Sequence, residues 1–442
     1  MVELWYRFNF LGEKQFFERR DLIDGLVISA HLVAYYNLSI PQFLSKVNLP
    51  ILIDPMTFLW GLNPRFVLKG GELRKSYSKL VEKLDCRVAN ILGEKMIQGI
   101  ETDSDQFGEF VLNVLKFQSV DKEVKETPRR RSMERIKHHR EETQTDRSTQ
   151  IQHYALIPPY FYFTNVEGNP YEKTVQAAKI AEDTKYGEKY KICPCLCMDK
   201  SMLHDEAQQH KVVEDFKDYS EVILWISNLD ETEASMEELK GLISLVSKFK
   251  ESKTDVINFY GGYFSLALNN IGLSKLSSGI CFSRRKDVFA EVGGGGLPIR
   301  YYEPHLKIKM LADDMFHLYR HAPELFVCNC PICSELSAKY RSAQTARERE
   351  EQLGDFFGEL GEGGRMKREG RINWENSRLH FLHVRRMEQD FVNKNPSSQI
   401  VSDLEEKYNT VCSSNIKRDP HPYRFGSYEY LKLWVDSLQG TP

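Results

Sequence analysis

The run Glu221-Val222-Ile223-Leu224-Trp225-Ile226 decides the fold class of this chain, together with a second run, Asp255-Val256-Ile257-Asn258-Phe259-Tyr260. Both runs are short, apolar and rich in β-branched and aromatic residues, which is the composition of a buried strand. A helical pattern of apolar residues lies between them. Strand, helix and strand in this order are typical of a βα repeat rather than of a β-sandwich.

Eight such β-rich runs recur along the chain, with helical patterns between them. Eight right-handed βα units close naturally into a barrel whose interior is filled by branched side chains. The sequence therefore predicts an α/β fold, a (β/α)8 TIM barrel. The predicted strands are Gly25–Ala30, Pro50–Ile53, Tyr160–Thr164, Lys191–Cys197, Glu221–Ile226, Asp255–Tyr260, Leu276–Phe282 and Leu297–Tyr302.

Two domains are expected. Residues 1–320 would form the barrel, with a charged, flexible insertion at about 119–152. Residues 321–442 would form a zinc-binding helical subdomain, with a second charged insertion at about 345–371. Neither insertion shows a sustained apolar face, so neither is expected to join a core. One amphipathic helix is predicted over 374–392.

Composition limits the classes of function. With 442 residues, 41% of them hydrophobic, the chain can bury a large core. No apolar stretch is long enough for a bilayer and no secretory signal is visible, so a cytoplasmic location is expected. The net charge of −3 gives no global attraction to nucleic acid, and the short basic runs fit solvated loops.

Three of the nine cysteines lie together, in Cys328-Asn329-Cys330-Pro331-Ile332-Cys333. The spacing C-x-C-x2-C lets one tight turn deliver three sulfurs to a single ion, which favours a Zn²⁺ site over a disulfide framework. A later helix supplies the fourth ligand, with His380 as our choice and His383 as the alternative. Four protein ligands leave no open position, so the zinc is expected to be structural.

A second cysteine group, Cys193, Cys195 and Cys197, alternates along a predicted strand. A period of two places the three sulfurs on one face, several ångströms apart. This arrangement suits small core residues better than it suits ligands of one metal ion.

A barrel followed by C-x-C-x2-C and a histidine on a later helix resembles the tRNA-guanine transglycosylase superfamily. In character the chain is closest to the 7-deazaguanine DNA-modifying transglycosylase-like proteins. Further segments resemble family segments in the same order. These are Ile28–Leu32, Leu52–Phe58, Phe163–Asn165 with Asn169–Tyr171, Tyr260–Gly262 with Gly272, and Arg378–Leu382.

The resemblance places Asp54 at the family's acidic catalytic position. Base exchange resembles retaining glycosyl transfer, in which one carboxylate attacks the sugar and another group moves protons. The family's aspartate nucleophile belongs on the strand Leu276–Gly279, which holds no carboxylate here. Asp199, Asp230 or Glu303 could supply the second carboxylate, and Asp199 is our choice. Each of the three also fits a helix cap or a solvated loop charge.

A phosphate contact is expected near the last two barrel strands. The run Gly293–Gly296 would let backbone approach a phosphate, and the arginines before it would bind the phosphate oxygens, although a flexible loop is the simpler interpretation. Tyr301 and Tyr302 fit either base stacking or packing at the barrel rim. The expected substrate-binding residues are His31, Asn165, Gly261, Gly262, Ser277, Arg284 and Arg285.

The resemblance implies an enzyme that replaces guanine by a 7-deazaguanine derivative in DNA or tRNA. Its partners would be the nucleic acid, the 7-deazaguanine base and, as an open alternative, a second copy or a second subunit. The missing nucleophile favours a different class, a catalytically inactive barrel that binds nucleic acid or a partner subunit. A third and weaker alternative is a barrel hydrolase with a divalent metal on Asp54 and Asp199.

Overall fold

The computed structural model describes residues 1–9, 11–61, 74–84, 104–119, 151–281, 285–289, 299–326, 328–360, 366–370, 372–414, 416 and 427–441. Eight parallel strands form one curled sheet in the order β3-β2-β1-β8-β7-β6-β5-β4. They are β1 (Glu3–Phe8), β2 (Gly25–Ser29), β3 (Ile51–Asp54), β4 (Tyr162–Phe163), β5 (Cys195–Asp199), β6 (Glu221–Ser227), β7 (Asp255–Asn258) and β8 (Leu273–Gly279).

Two antiparallel hairpins and the helices surround this sheet. The hairpins are β9 (Arg300–Glu303) with β10 (Ile308–Leu311), and β11 (Gly358–Leu360) with β12 (Met366–Glu369). The first half of the chain carries helices α1 (Lys14–Phe17), α2 (Ala30–Tyr35), α3 (Ser39–Val47), α4 (Lys75–Lys83), α5 (Ser104–Gln118), α6 (Asn169–Glu182), α7 (Lys185–Lys189) and α8 (Glu206–Phe216). The second half carries α9 (Met236–Glu251), α10 (Tyr263–Ala267), α11 (Ala312–His321), α12 (Ser334–Ser342), α13 (Ala346–Phe357), α14 (Trp374–Lys394), α15 (Ser397–Ser413) and α16 (Tyr430–Leu438).

The segment before β4 connects the two edges of the sheet. The main chain of Ile51, on edge strand β3, exchanges hydrogen bonds of 2.9 Å with Gln152 and Tyr154. A few residues later, Leu156 forms a parallel bridge with Ile192, just before β5. The parallel order, the curl and the alternation with helices are consistent with a TIM-like fold, and the predicted α/β class is confirmed.

The prediction of the eighth strand was wrong. Arg300–Glu303 pairs antiparallel with β10, outside the parallel sheet, and the missing strand is β1, which lies between β2 and β8. Sequence patterning overlooked β1 because Arg7 lies on its interior face, where a branched apolar residue is expected. The other seven predicted strands coincide or overlap with β2 to β8.

The two predicted insertions have different outcomes. Residues 120–150, nearly all of the first, lie outside the described part of the chain. The prediction that 345–371 lacks a core face was wrong, because α13 buries Leu353, Phe356 and Phe357. Its start is fixed by a capping box, in which Thr345 and Glu348 each bond the other's backbone N–H.

Charged and aromatic residues fill the interior of the curled sheet alongside the apolar ones. At its amino end, the Glu221 carboxylate pairs with Lys275 at 2.7 Å and with Lys191 at 3.0 Å. Higher up, the strand register places Cys195 beside Ile223. Cys193, Cys195 and Cys197 are all buried free thiols, in agreement with their interpretation as core residues.

Helix α14, predicted over 374–392, packs against the outside of β1. Its Gln389 side chain donates to the Val2 carbonyl at 2.8 Å, and the ring of Phe381 contacts Tyr6 with centroids 6.1 Å apart. This packing fixes the position of His380 relative to the sheet. Among the described residues, no helix has the length and apolar character needed to cross a membrane.

Substitution of Gly25 tests how tightly the interior of the sheet is packed. A Cβ on Gly25 would lie 2.3 Å from the Trp5 ring, so we expect Gly25→Ala to destabilise the protein by about 1–3 kcal/mol through overpacking. At Gly108, in α5, a Cβ would meet no atom within 4 Å, so Gly108→Ala should be neutral or stabilise by up to ~1 kcal/mol. Urea unfolding of both variants measures the difference, and equal stabilities would contradict this packing.

Candidate active site and metal centre

Four buried residues form a group that could hold a metal ion: Cys328, Cys330, Cys333 and His380. Their ligand atoms lie within 4.8 Å of one another, and the three sulfurs are 3.8, 3.2 and 3.3 Å from His380 Nδ1. Tetrahedral zinc, with bonds of about 2.3 Å to sulfur and 2.0–2.1 Å to nitrogen, would separate such atoms by about 3.6 Å. The donor set and its spacing are therefore compatible with zinc.

The turn that carries the cysteines ends in a helix. The N–H groups of Cys333 and Ser334 donate to the Cys330 carbonyl at 3.0 and 2.9 Å, and α12 begins at Ser334. Hydrogen bonds from Cys328 and Cys333 lower the pKa of the Cys330 thiol to about 4, whereas burial raises the pKa of Cys333. The group thus stabilises a thiolate, the form of cysteine that binds metal.

The His380 ring is held in the orientation that a ligand requires. Its Nε2 lies 2.7 Å from the Tyr302 carbonyl, so Nε2 carries the proton and Nδ1 faces the sulfurs. The Tyr301 ring stacks on the imidazole at a centroid distance of 3.9 Å. His380, the first-choice ligand, belongs to the group, and His383 lies outside it.

A second site lies at the carboxyl end of the strands, and Asp54 is at its centre. Asp54 is 0% exposed. Its Oδ2 accepts from Arg7 Nη2 at 2.5 Å, and its Oδ1 accepts from the Tyr160 hydroxyl at 2.6 Å and from the Met56 N–H at 2.9 Å. Burial would raise the pKa of Asp54, but Arg7 and the hydrogen bond from Tyr160 outweigh burial and lower it. The carboxylate is therefore ionised.

Arg7 is the partner that the sequence did not reveal. Its guanidinium lies 5.0 Å from the ring centroid of Phe259 and 4.7 Å from that of Tyr260. Its Nη1 is buried and makes no hydrogen bond to any described residue. Arg7 thus has a donor left over beside the carboxylate.

Three aromatic rings surround the ammonium of Lys286 above this ion pair. Its Nζ lies 5.8, 5.4 and 5.8 Å from the ring centroids of Phe58, Trp225 and Tyr260. Burial and the nearby Arg7 lower the pKa of Lys286 to about 8. We call these three rings the aromatic cage.

His31 lies at the start of α2, beside the same site. Its ring stacks on Tyr77 at 4.7 Å, and its Nδ1 is 3.2 Å from the sulfur of Met56. Burial, followed by repulsion from Lys286, lowers the pKa of His31 to about 4, so the imidazole is neutral at pH 7. The structure therefore brings His31 close to Asp54.

Asp199 ends β5 at the same end of the sheet, but its contacts are those of a cap. Its Oδ1 accepts the Ser201 N–H at 2.9 Å, and its Oδ2 accepts the Tyr162 hydroxyl at 2.7 Å. Asp230 is also a cap, since it accepts from the N–H and hydroxyl of Thr232. Glu303 lies in the β9–β10 hairpin, where its carboxylate accepts the Leu306 N–H at 2.5 Å and the Tyr319 hydroxyl at 3.3 Å.

The remaining predicted residues are dispersed. Asn165 is exposed, where its side chain accepts from Glu167 N–H. Ser277 faces the sheet interior beside Trp5, with its hydroxyl unpartnered among described residues. Gly261 and Gly262 follow β7, and the Gly262 carbonyl accepts from Arg385 of α14 at 3.0 Å.

The contacts of Arg285 give little support to the predicted phosphate site. Its guanidinium pairs with Glu233 at 2.5 Å and with Asp230 at 3.3 Å, so it is already neutralised. Arg284 and Gly293–Gly296 lie outside the described residues. Tyr301 and Tyr302 are buried against the metal centre and Glu388 and do not line the aromatic cage, which favours packing over base stacking.

Several site residues were missed by the sequence analysis. One signal for Arg7 was overlooked, because a period of two along Glu3–Phe8 puts Trp5 and Arg7 on one face of a strand. Lys286 belongs to one of the short basic runs that were interpreted as solvated loops. The cage residues were assigned to strands and the core. No protein-family model matches this chain, and no curated protein matches it significantly, so its function has to be inferred from these side chains.

The two histidines of α14 provide a matched test of the metal centre. We expect His380→Ala to reduce zinc affinity by more than the roughly 10- to 100-fold that losing an outer-shell partner causes. His383→Ala should keep one equivalent, because His383 is outside the group. Metal content by mass spectrometry and melting with and without chelator measure both. Full metal content in His380→Ala would remove it from the ligand set.

Proposed function

We propose that this protein is a transglycosylase-like enzyme that replaces guanine by a 7-deazaguanine derivative in DNA or tRNA. The observation that carries the proposal is Asp54, an ionised, fully buried carboxylate beside an aromatic cage at the carboxyl ends of parallel strands. Catalytic groups of (β/α)8 barrels gather at this end. A complete (β/α)8 barrel with a C-terminal zinc-binding subdomain is part of the same proposal.

A planar base would stack at the rim of the aromatic cage, beside the Lys286 side chain that occupies its centre. The rings of Phe58 and Trp225 meet edge to face at 4.4 Å, and Trp225 and Tyr260 lie 5.1 Å apart. Base stacking on aromatic rings stabilises binding by about 1–3 kcal/mol for each base. The free Nη1 of Arg7 adds a donor for a carbonyl oxygen such as that of guanine.

Asp54 would stabilise the positive charge that develops in the transition state. Breaking a glycosidic bond places positive charge on the sugar C1′, and a nearby carboxylate stabilises that charge. Because the pKa of Asp54 is lowered, it serves as an anion and not as a proton donor. Because the pKa of His31 is lowered to about 4, its imidazole would act near pH 7 as a neutral hydrogen-bonding group and not as a strong base.

Zinc would have a structural role. Four protein ligands close the coordination sphere, and no position is left for a substrate. The bound ion would hold the turn at 328–333 against α14. The chemistry at Asp54 would proceed without any step at the metal.

An inactive barrel that binds nucleic acid or a partner subunit is the second candidate. One observation favours it, namely that both Asp54 oxygens are already hydrogen-bonded. In addition, β8 carries no carboxylate to attack the sugar. This candidate predicts binding without base exchange.

The test is incorporation of radiolabelled guanine or 7-cyano-7-deazaguanine into tRNA or duplex DNA. We expect label in one of the polymers, and its identity distinguishes a DNA-modifying from a tRNA-modifying enzyme. Retained binding with no incorporation into either polymer would contradict the enzyme and support the inactive barrel.

Asp54→Asn should reduce incorporation by about 100-fold or more, because the charge that stabilises C1′ is lost. It also leaves Arg7 buried without a counter-charge, so the free energy of unfolding should fall by about 3–5 kcal/mol. Circular dichroism must therefore confirm folding at the assay temperature. Asp205→Asn is the control, since Asp205 caps α8 through a 3.0 Å bond to Gln208 N–H and asparagine caps equally well. Undiminished incorporation in folded Asp54→Asn would remove Asp54 from the mechanism.

A further inference from the structure

Hydrogen bonds fix the backbone of Lys286, whereas its amine makes no hydrogen bond to the residues that the structure describes. Its carbonyl accepts from Trp225 Nε1 and from the Asn228 N–H, each at 3.1 Å. These two bonds attach the residue to the end of β6. The side chain enters the aromatic cage above Arg7 and Asp54 while the residue keeps some contact with solvent.

Within the described ranges, other lysines with strongly buried side chains have polar partners, and Lys286 has none. Lys275 pairs with Glu221 at 2.7 Å, and Lys307 pairs with Glu388 at 2.7 Å. Lys309 donates to two backbone carbonyls at the end of β8. Among the described residues, Lys286 Nζ makes ring contacts only, without a hydrogen bond or an ion pair.

An amine in such surroundings is suited to covalent chemistry. A lysine becomes a nucleophile when an apolar pocket and a neighbouring cation favour its neutral form. Lys286 has both, with three rings around it and the Arg7 guanidinium nearby, and its pKa is lowered to about 8. It also lies at the end of the sheet where a barrel enzyme holds its substrate.

We propose that Lys286 is the nucleophile that attacks the sugar C1′, in the role that a carboxylate on β8 would otherwise fill. This inference rests on the proposed function and adds a residue and a covalent intermediate to it.

The covalent step conserves atoms and electrons. The neutral amine forms a bond to C1′ while the bond from C1′ to the leaving guanine breaks, and one amine proton ends on the leaving base. The sugar ring then opens, because the C1′–O4′ bond breaks as a C1′=Nζ imine forms and O4′ takes the second proton. Ring closure and attack by the incoming base reverse both steps and release the lysine.

The imine can be trapped without base exchange. An oligonucleotide with an abasic deoxyribose presents a C1′ aldehyde, which condenses with an amine and loses water. Borohydride then delivers hydride to C1′ and makes the link permanent. We expect the full-length protein to form this adduct, with Lys286 as the linked residue in peptide mapping by mass spectrometry.

Lys286→Met and Lys286→Arg should abolish the adduct and base exchange. Because Lys286 Nζ makes no polar contact with the described residues, methionine among the rings should leave melting unchanged. Lys240, an exposed residue of α9, is the control, and Lys240→Met should form the adduct like the unmodified protein. Adducts that map to other lysines in the unmodified protein would overturn the inference even if Lys286→Met failed to fold.

The pH dependence provides a second readout. Adduct formation needs the neutral amine, so its rate should rise with pH and level off above pH 8, because the pKa of Lys286 is about 8. An ordinary exposed lysine would level off only above about pH 10. Among the described residues, the charged or titratable groups that face Lys286 are Arg7, Asp54, His31, Cys197 and Tyr260.

The experiments can refute the proposed lysine nucleophile and the proposed base exchange independently of each other. Base exchange that persists in Lys286→Met would overturn the lysine nucleophile and leave the transglycosylase proposal intact. An adduct at Lys286 without exchange on any polymer would support the nucleophile and contradict base exchange. A protein that gives neither the adduct nor exchange would overturn the role of Lys286.

Discussion

The ion pair between Arg7 and Asp54 is the interaction on which the rest of the structure depends. Removing two charges from water costs several kcal/mol for each ion, and only good geometry with further hydrogen bonds offsets that cost. The Tyr160 hydroxyl supplies one such bond to Asp54, and two hydrogen bonds between the Tyr160 backbone and the Thr57 hydroxyl hold Tyr160 in place. Asp54 lies on one edge strand, and Tyr160 lies two residues before the other, β4. The carboxylate therefore joins the two edges of the sheet at the point where the reactive groups converge.

Helix α14 connects the metal centre to the sheet. His380 faces the cysteines, and two turns later Glu388 accepts from Lys307 at 2.7 Å and from Arg385 at 3.0 Å. Further along, Asn393 accepts the Val2 N–H at 2.7 Å, at the start of β1. A ligand that orders the turn at 328–333 thus also orders the helix that supports β1, the strand that carries Arg7.

Local sequence patterns predicted the elements whose structure depends only on residues that are close together in the sequence. Strands such as β6 and β7, buried on both faces, are continuous apolar runs, and the C-x-C-x2-C spacing has a direct chemical meaning. Prediction failed where the environment of a residue depends on a partner that is distant in the sequence. Arg7 is tolerated inside the sheet only because Asp54, 47 residues away, neutralises it. The predicted strand Leu297–Tyr302 is a β-rich run like the barrel strands, yet Arg300–Glu303 pairs with the adjacent β10. Lys286 looked like a solvated charge because only the fold brings three distant rings around it.

Arg7 affects the protonation of two groups in the site, the carboxylate of Asp54 and the amine of Lys286, in different ways. A carboxylate beside a lysine normally raises the lysine pKa, and both groups remain charged as an ion pair. Here the Asp54 charge is already matched by the guanidinium at 2.5 Å. Its attraction for Lys286 is therefore outweighed by burial and by repulsion from Arg7, in that order, and the pKa of the lysine falls. The same guanidinium lowers the pKa of Asp54, because there it stabilises the charged form. One fixed cation thus favours an anion on one side and a neutral amine on the other, which is the combination that glycosidic bond exchange through an amine requires.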